Sequence, residues 1–171
     1  MIAYWLFRFC SFVWQRLPLR LGYALSSLIA DVTYLVWNGK KENMLANTRM
    51  VLGSDADERA VQRTSRRCLR NYCKNLVDFI RFPRMTREDI ERVMRFNGWE
   101  HLDRALERGK GVIFIGMHMG NWDVAAASLA LRNYPLNVVV DTFKPEKLNT
   151  LVQGARTSKG VKIIPTEQAA R

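Results

Sequence analysis

One stretch decides the fold of this chain: Gly111-Val-Ile-Phe-Ile-Gly-Met-His-Met-Gly-Asn-Trp-Asp123. Its segment Val112–Ile115 is an unbroken apolar run, too short for a helix and rich in β-branched residues, which predicts a strand buried on both faces of a parallel sheet. The following residues, Ala125–Leu131, have the composition of a helix, and Asn133 and Pro135 close it. The loop between strand and helix is therefore expected at the carboxyl edge of the sheet, where open α/β sheets bind their ligands.

His118 and Asp123 lie in this loop at a spacing that has a chemical use. A neutral imidazole can take a proton from an alcohol when a carboxylate holds its other ring nitrogen. Asp123 falls in or just before the first turn of the next helix, where the helix dipole favours a negative charge. The only other histidine, His101, lies in a helical segment beside Glu100, so His118 is the one strong candidate base. The alternative interpretation is a histidine that caps a helix terminus for structural reasons.

No activated serine or cysteine accompanies this pair. The sequence contains no Gly-x-Ser-x-Gly, and its cysteines, Cys10, Cys68 and Cys73, all lie in the other half of the chain. They are odd in number and lack metal-ligand spacing, which favours a reducing compartment over a disulfide framework. The histidine and the acid would thus activate a substrate hydroxyl directly, without a covalent enzyme intermediate.

Residues 109–123, Gly-Lys-Gly-Val-Ile-Phe-Ile-Gly-Met-His-Met-Gly-Asn-Trp-Asp, resemble the signature of the lysophospholipid acyltransferase superfamily. The Gly-Asn-Trp between the histidine and the acid is characteristic of the bacterial lipid A biosynthesis (lauroyl/myristoyl) acyltransferases and the related phosphatidylinositol mannoside acyltransferases. That branch usually has Glu where this chain has Asp123, whereas the wider superfamily has Asp, so the role should carry over. The resemblance continues to Arg156 and Gly160 and then ends early, so the chain is expected to be a C-terminally truncated part of such an enzyme.

The resemblance implies an O-acyltransferase bound to a membrane. His118 would deprotonate a hydroxyl of a lipid A precursor, a glycolipid or a lysophospholipid, and Asp123 would orient His118. The donor would be acyl carrier protein or acyl-CoA carrying a fatty acyl thioester, and the location the cytoplasmic face of the bacterial inner membrane. The alternatives are a basic, non-catalytic membrane-binding module, an inactive fragment, or a nucleotide-binding α/β enzyme, although no phosphate-loop or dinucleotide motif occurs.

Three further residues are expected to bind substrate. The resemblance places a basic residue that serves a phosphate-bearing substrate at Arg156, and the guanidinium fork suits phosphate oxygens; a solvated helix arginine is the alternative. Backbone amides around Gly120–Trp122 are candidates for binding the carbonyl oxyanion, which adds Gly120 and Asn121. No metal and no redox cofactor is implied, since the acyl thioester is a substrate.

Residues 1–38 are expected to associate with a membrane. The segment is apolar and aromatic, but Arg8 splits its first run and neither part is a clean span of about 20 apolar residues. No basic region or cleavage site of a secretory signal is evident. Two helices on either side of Pro18, with tryptophans and tyrosines at headgroup level, fit best. A pair of core helices and a single tilted span are the alternatives.

The rest of the chain, residues 39–171, is expected to form the α/β part, and its first long helix is basic. The formal net charge is +11, and a capping box of Ser54 and Asp57 predicts a helix that runs to about Phe82. Two lines of residues recur at helical spacing along it: an apolar line of Val61, Cys68, Tyr72, Leu76 and Ile80, and a basic stripe of Arg59, Arg63, Arg66, Arg67, Arg70 and Lys74. The basic stripe fits anionic headgroups or an acidic carrier, with a merely solvated face as the alternative. Nucleic acid is disfavoured, because the aromatic residues cluster away from the arginines.

The fold class that follows is α/β: a helical N-terminal half, then a mainly parallel β-sheet with flanking helices, as in glycerolipid acyltransferases. Strands are predicted at Val112–Ile115, Leu136–Val140 and Val161–Ile164, with a helix beginning at Pro145 before the last of them. A capping box of Thr86 with its acid three residues on predicts another short helix. The oligomeric state does not follow from the sequence.

Overall fold

The computed structural model describes residues 1–169, which form eight α-helices, two β-strands and two 3₁₀ turns. The chain divides into two compact units, Met1–Arg81 and a second that begins at Phe82. The elements in chain order are α1 (Ile2–Trp14), α2 (Leu19–Val36), α3 (Asn38–Leu52), α4 (Glu58–Arg81), a 3₁₀ turn (Phe82–Arg84), α5 (Arg87–Val93), α6 (Trp99–Leu106), α7 (Trp122–Ala130), β1 (Asn137–Val140), α8 (Glu146–Thr157), β2 (Lys162–Pro165) and a 3₁₀ turn (Thr166–Gln168).

In the first unit, α2 packs along α4 through residues spaced four apart. The buried residues of α2 are Gly22, Ser26, Ala30 and Tyr34. Such i, i+4 ridges interdigitate when two helices pack, and the small side chains allow a close approach. The partner helix uses a ridge of the same spacing, whose buried members are Val61, Ser65 and Val77.

This packing corrects two predictions for α4. The apolar line does not face inward along its length, because Tyr72 and Leu76 are exposed. The predicted line steps seven residues from Val61 to Cys68 and then follows a row parallel to the buried ridge but one position away from it, about 100° around the helix. The predicted capping residue is also wrong: α4 begins at Glu58, and Asp57 Oδ2 accepts the Ala60 amide at 3.1 Å. Ser54 instead donates to the neighbouring aspartate.

Asp31 is the acid that joins α2 to the basic stripe. Its carboxylate accepts hydrogen bonds from Arg70 Nε at 2.6 Å and Arg66 Nε at 2.7 Å, and its side chain is 14% exposed. These hydrogen bonds, that of Arg70 foremost, hold the pKa of Asp31 well below its usual range. Two members of the basic stripe are thus engaged inside the unit.

The ion cluster predicts a pH-dependent stability. Asp31→Asn should lower the free energy of unfolding by about 1–2 kcal/mol near pH 7, because the hydrogen bonds are charged but both arginines are partly exposed. A lowered folded-state pKa gives stabilisation that is present above the unfolded-state value of about 4 and is lost as the pH falls below it. Urea unfolding at about pH 7 and at about pH 3 gives the free energy of unfolding of the parent and of the variant, with the exposed Asp55→Asn as the control. An equal difference in this free energy between parent and variant at both pH values would contradict the prediction.

The helix α2 is the one described helix whose length and composition would let it cross a membrane, with a mean hydropathy of 1.2. The predicted pair of helices on either side of Pro18 is confirmed by α1 and α2. Both expose large apolar side chains, among them Ile2, Phe9, Leu28 and Leu35. Exposed apolar surface of this kind is typical of a protein or membrane interaction face.

In the second unit, two of the three predicted strands are confirmed. β1 and β2 pair in parallel, with Val138 opposite Ile163 and Val139 opposite Ile164, and α8 forms the crossover between them. The predicted capping box is confirmed as well, since Thr86 and Asp89 bond reciprocally at the start of α5. The described residues are therefore mostly helical with a small two-stranded parallel sheet.

The predicted strand at Val112–Ile115 is wrong in this structure. These residues pair with no strand among residues 1–169, and the side chains of Ile113 and Ile115 are 91% and 96% exposed. A four-residue apolar run supplies β propensity, but a strand exists only when neighbouring strands take its backbone hydrogen bonds. The described sheet has two strands, so the wider glycerolipid acyltransferase-like sheet is not present in these residues.

Candidate active site

His118 lies at the apex of a tight backbone turn. The Met119 amide donates to the Met117 carbonyl at 2.8 Å, which closes a three-residue γ-turn centred on the histidine. Gly120 follows with φ of 69°, in the left-handed region that glycine adopts at little cost. The turn projects the imidazole away from the backbone, and the residue is exposed.

The Gly-Asn-Trp segment has a structural use in starting α7. Asn121 is the N-cap, and its Oδ1 accepts the Val124 amide at 3.2 Å. Trp122 opens the helix, and its ring centroid lies 4.6 Å from that of His118 at an interplanar angle of 59°. Gly120 and Asn121, which were predicted to bind substrate, thus set the turn and the helix start. Their proposed contact with substrate stays a prediction.

Asp123 occupies the first turn of α7, as predicted, and its carboxylate faces an arginine. Arg156 Nε donates to Asp123 Oδ1 at 2.7 Å, and the two side chains are only 17% and 11% exposed. Among residues 1–169 no hydrogen bond joins Asp123 to His118. The structure therefore brings together the predicted acid and the predicted phosphate-binding arginine, while the imidazole stands apart.

Gln153 extends this ion pair into a network. It lies one helical turn before Arg156 on α8, and its Oε1 accepts from Arg156 Nη1 at 2.8 Å. Its Nε2 donates to the Asp141 carbonyl at 3.1 Å, just beyond the end of β1. Gln153 is 9% exposed. Asp123 is thereby held, through Arg156 and Gln153, to the carboxyl end of a strand.

The site contains a candidate base, His118, and a candidate orienting carboxylate, Asp123, which are not hydrogen-bonded to each other among residues 1–169. The imidazole of His118 can accept a proton from a hydroxyl that approaches from solvent. The carboxylate of Asp123 is held in place by Arg156, so it can stabilise an imidazolium brought within hydrogen-bond distance. Catalytic hydrogen bonds are often long or absent before substrate binds, and the loop carrying His118 is free of strand pairing among residues 1–169.

The family follows from comparison with known proteins. The model of the family described as bacterial lipid A biosynthesis acyltransferase matches residues 1–171. The chain belongs to this family. The resemblance predicted from residues 109–123 is thereby confirmed.

Curated relatives point to the same branch of the acyltransferases. The chain is 27% identical over 139 residues to the phosphatidylinositol mannoside acyltransferase of Mycolicibacterium smegmatis, a match that covers 80% of this chain and 44% of that protein. It is 30% identical over 105 residues to the protein of the same name from Mycobacterium tuberculosis, a match that covers 60% of this chain and 33% of that protein. The matched regions span less than half the length of these acyltransferases.

The side chains of two residues of the site, Gln153 and Trp122, were not predicted from the sequence of this acyltransferase-family chain. Gln153 could have been found, because residues three apart share one face of a helix and Arg156 had already been singled out. Trp122 was considered only for the family signature and for its backbone amide, although its ring centroid lies 4.6 Å from that of His118 at the start of the helix. Neither the pairing of Arg156 with Asp123 nor its consequence for the acid could be found locally, since 33 positions separate them.

Proposed function

We propose that this protein is a membrane-surface O-acyltransferase. It moves a fatty acyl group from acyl carrier protein or acyl-CoA to a hydroxyl of a lipid A precursor, a glycolipid or a lysophospholipid. Family membership supports the reaction class. The observation that carries the proposal is the exposed imidazole of His118 at a turn apex, directly before the helix that carries Asp123.

In the proposed reaction His118 takes the proton of the acceptor hydroxyl as its oxygen attacks the thioester carbonyl. The tetrahedral intermediate collapses and expels the thiolate, which takes the proton back from the imidazolium. The products are an oxygen ester and a free thiol, so one proton is transferred and returned. Asp123 stabilises the imidazolium while it exists, once the His118 loop has closed towards α7.

Arg156 is a candidate for two roles in this reaction, positioning Asp123 and binding a substrate phosphate. Its ion pair with Asp123 supports a positioning role, because the guanidinium fixes the carboxylate that His118 needs. A contact with a substrate phosphate was the prediction from sequence, and it remains a proposal. The two roles are compatible only if the acceptor phosphate approaches the same guanidinium edge-on.

Attachment along the membrane surface, rather than through it, fits the first unit. α2 packs along α4, and α4 carries the six cations of the basic stripe. Cations at the centre of a bilayer are costly, whereas apolar faces on α1 and α2 with basic residues nearby suit the headgroup boundary. The predicted location, the cytoplasmic face of the bacterial inner membrane, is part of the proposal.

Acyl transfer can be tested directly with labelled donors. Purified chain is incubated with labelled acyl carrier protein or acyl-CoA and, in separate reactions, each of the three acceptor classes, and lipids are separated by thin-layer chromatography. A labelled, alkali-labile ester with at least one acceptor is expected. Vesicle binding without any product would instead favour the non-catalytic membrane-binding module.

The basic stripe is tested best through the members that Asp31 does not engage. Arg59, Arg63 and Arg67 are spaced four apart, exposed, and form no ion pair among residues 1–169. Changing all three to Gln should weaken binding to anionic vesicles at least about tenfold, because each cation near such a surface contributes about 1 kcal/mol. Binding of the parent should also weaken steeply between about 0.1 and 0.5 M salt. Helicity should be unchanged, since Gln is nearly as good a helix former.

The matched control removes three positive charges elsewhere. Arg84, Arg95 and Arg108 are exposed arginines outside the basic stripe, and their change to Gln should alter vesicle sedimentation little. Equal losses in both triple variants would assign the effect to net charge alone. No loss in either would mean that the stripe is a solvated face. Deleting residues 1–38 is a poor alternative test, because α2 is the main packing partner of α4.

A further inference from the structure

A cavity of about 270 Å³ lies within the first unit, remote in sequence from the His118 loop. It is bounded by the end of α2, the first turns of α3 and the middle of α4. Tyr34, Met44 and Leu69 give it apolar walls, and Lys40 and Lys41 bring two ammonium groups to it. Neither the sequence pattern nor the family resemblance assigned these residues a role.

The two lysines are held by aromatic rings rather than by acids. Lys41 Nζ lies 5.0 Å from the centroid of the Tyr34 ring, and Lys40 Nζ lies 5.8 Å from that of Trp37. Neither ammonium has an ion pair among residues 1–169. Lys40 and Lys41 are the third and fourth residues of α3, so they lie near the positive end of the helix dipole, and the first turn contains no acidic residue. Two adjacent cations therefore lie at an apolar cavity without an ion pair in the described part of the chain.

We propose that this cavity binds the headgroup of an anionic phospholipid, with the phosphate between Lys40 and Lys41. The apolar walls would take the glycerol and the first acyl carbons, which a free phosphate does not possess. Trp37 is exposed at the end of the apolar helix α2, and tryptophan prefers the headgroup level of a membrane. The site would hold one lipid in a defined pose, unlike the diffuse attraction of the basic stripe, and it does not depend on acyl transfer.

The experiment uses the full 171-residue chain and a short-chain lipid that stays monomeric. Dihexanoylphosphatidylglycerol, below its critical micelle concentration, is titrated by isothermal calorimetry and should bind saturably. Lys40→Gln combined with Lys41→Gln should weaken this binding at least about tenfold, because both phosphate contacts are lost. Lys144→Gln with Lys147→Gln removes the same charge from exposed positions and should leave binding within about twofold. Circular dichroism checks that both double variants keep the parent fold.

Two further titrations test which parts of the lipid are needed for binding. Dihexanoylphosphatidylcholine, which has no net charge, should bind at least about tenfold more weakly than the anionic lipid. Glycerol 3-phosphate should also bind more weakly, because it leaves the apolar walls unfilled. The proposal is overturned if no saturable binding occurs, if the two double variants bind alike, or if phosphatidylcholine matches the anionic lipid. Equal binding of glycerol 3-phosphate would overturn the lipid assignment in favour of a small-phosphate site.

Discussion

His118→Ala is expected to slow acyl transfer at least about 100-fold, the usual scale for loss of a general base. The imidazole is the candidate base at the loop apex, since Asp123 is bound to Arg156 and residues 117–123 contain no serine or cysteine. Initial rates of labelled ester formation at saturating donor measure the effect.

His101→Ala is the matched control for that experiment. His101 is the only other histidine of the chain, and its side chain is 74% exposed on α6. The control should retain activity within about twofold. If His118→Ala kept its fold and transferred acyl groups within a few-fold of the parent rate, the assignment of His118 as the base would be wrong.

Arg156→Gln should lower the free energy of unfolding by about 2–4 kcal/mol, because it leaves the largely buried carboxylate of Asp123 without its counter-charge. Urea unfolding at neutral pH measures this. Adding Asp123→Asn to the variant should restore part of the stability, since the double change no longer buries an unpaired charge. Arg108→Gln, an exposed change in the same unit, should alter stability by less than about 0.5 kcal/mol.

The same variants separate the two roles of Arg156 in catalysis. If the arginine positions Asp123, its loss should lower kcat with every acceptor, with or without a phosphate. If it binds a substrate phosphate, KM should rise for phosphate-bearing acceptors only. Additive stability effects of the two single changes would show that the ion pair contributes no coupling, and the positioning role would then be withdrawn.

The sequence predicted the helices well because their signals are local. The capping box of Thr86 and Asp89 acts within one turn, and the observed α5 starts where that pattern places it. Pro18 separates α1 from α2 for an equally local reason, since its ring excludes it from a helix interior. The two confirmed strands also have local boundary signals, and Pro165 is the last residue of the second strand.

Two of the errors concern partners that are distant in sequence. The segment Val112–Ile115 has strand composition, but no adjacent strand in residues 1–169 takes its hydrogen bonds. The inward face of α4 was misjudged because α2 selects an i, i+4 ridge that the spacing of apolar residues does not specify. The third error is local: Asp57, rather than Ser54, caps α4, since its Oδ2 accepts the Ala60 amide at 3.1 Å.

The sequence by itself determined the acyltransferase family, the order of the helices and the position of His118 before a helix that begins near Asp123. Each of these depends on residues within a few positions of one another, whose propensities and caps act over a single turn. Only the tertiary structure decided that Asp123 pairs with Arg156 and that Asp31 engages Arg66 and Arg70. These contacts join residues 33 to 39 positions apart, and many arginines in this basic chain could have met each acid. The packing of the helices determines which arginines reach each carboxylate: Arg66 and Arg70 for Asp31, and Arg156 for Asp123.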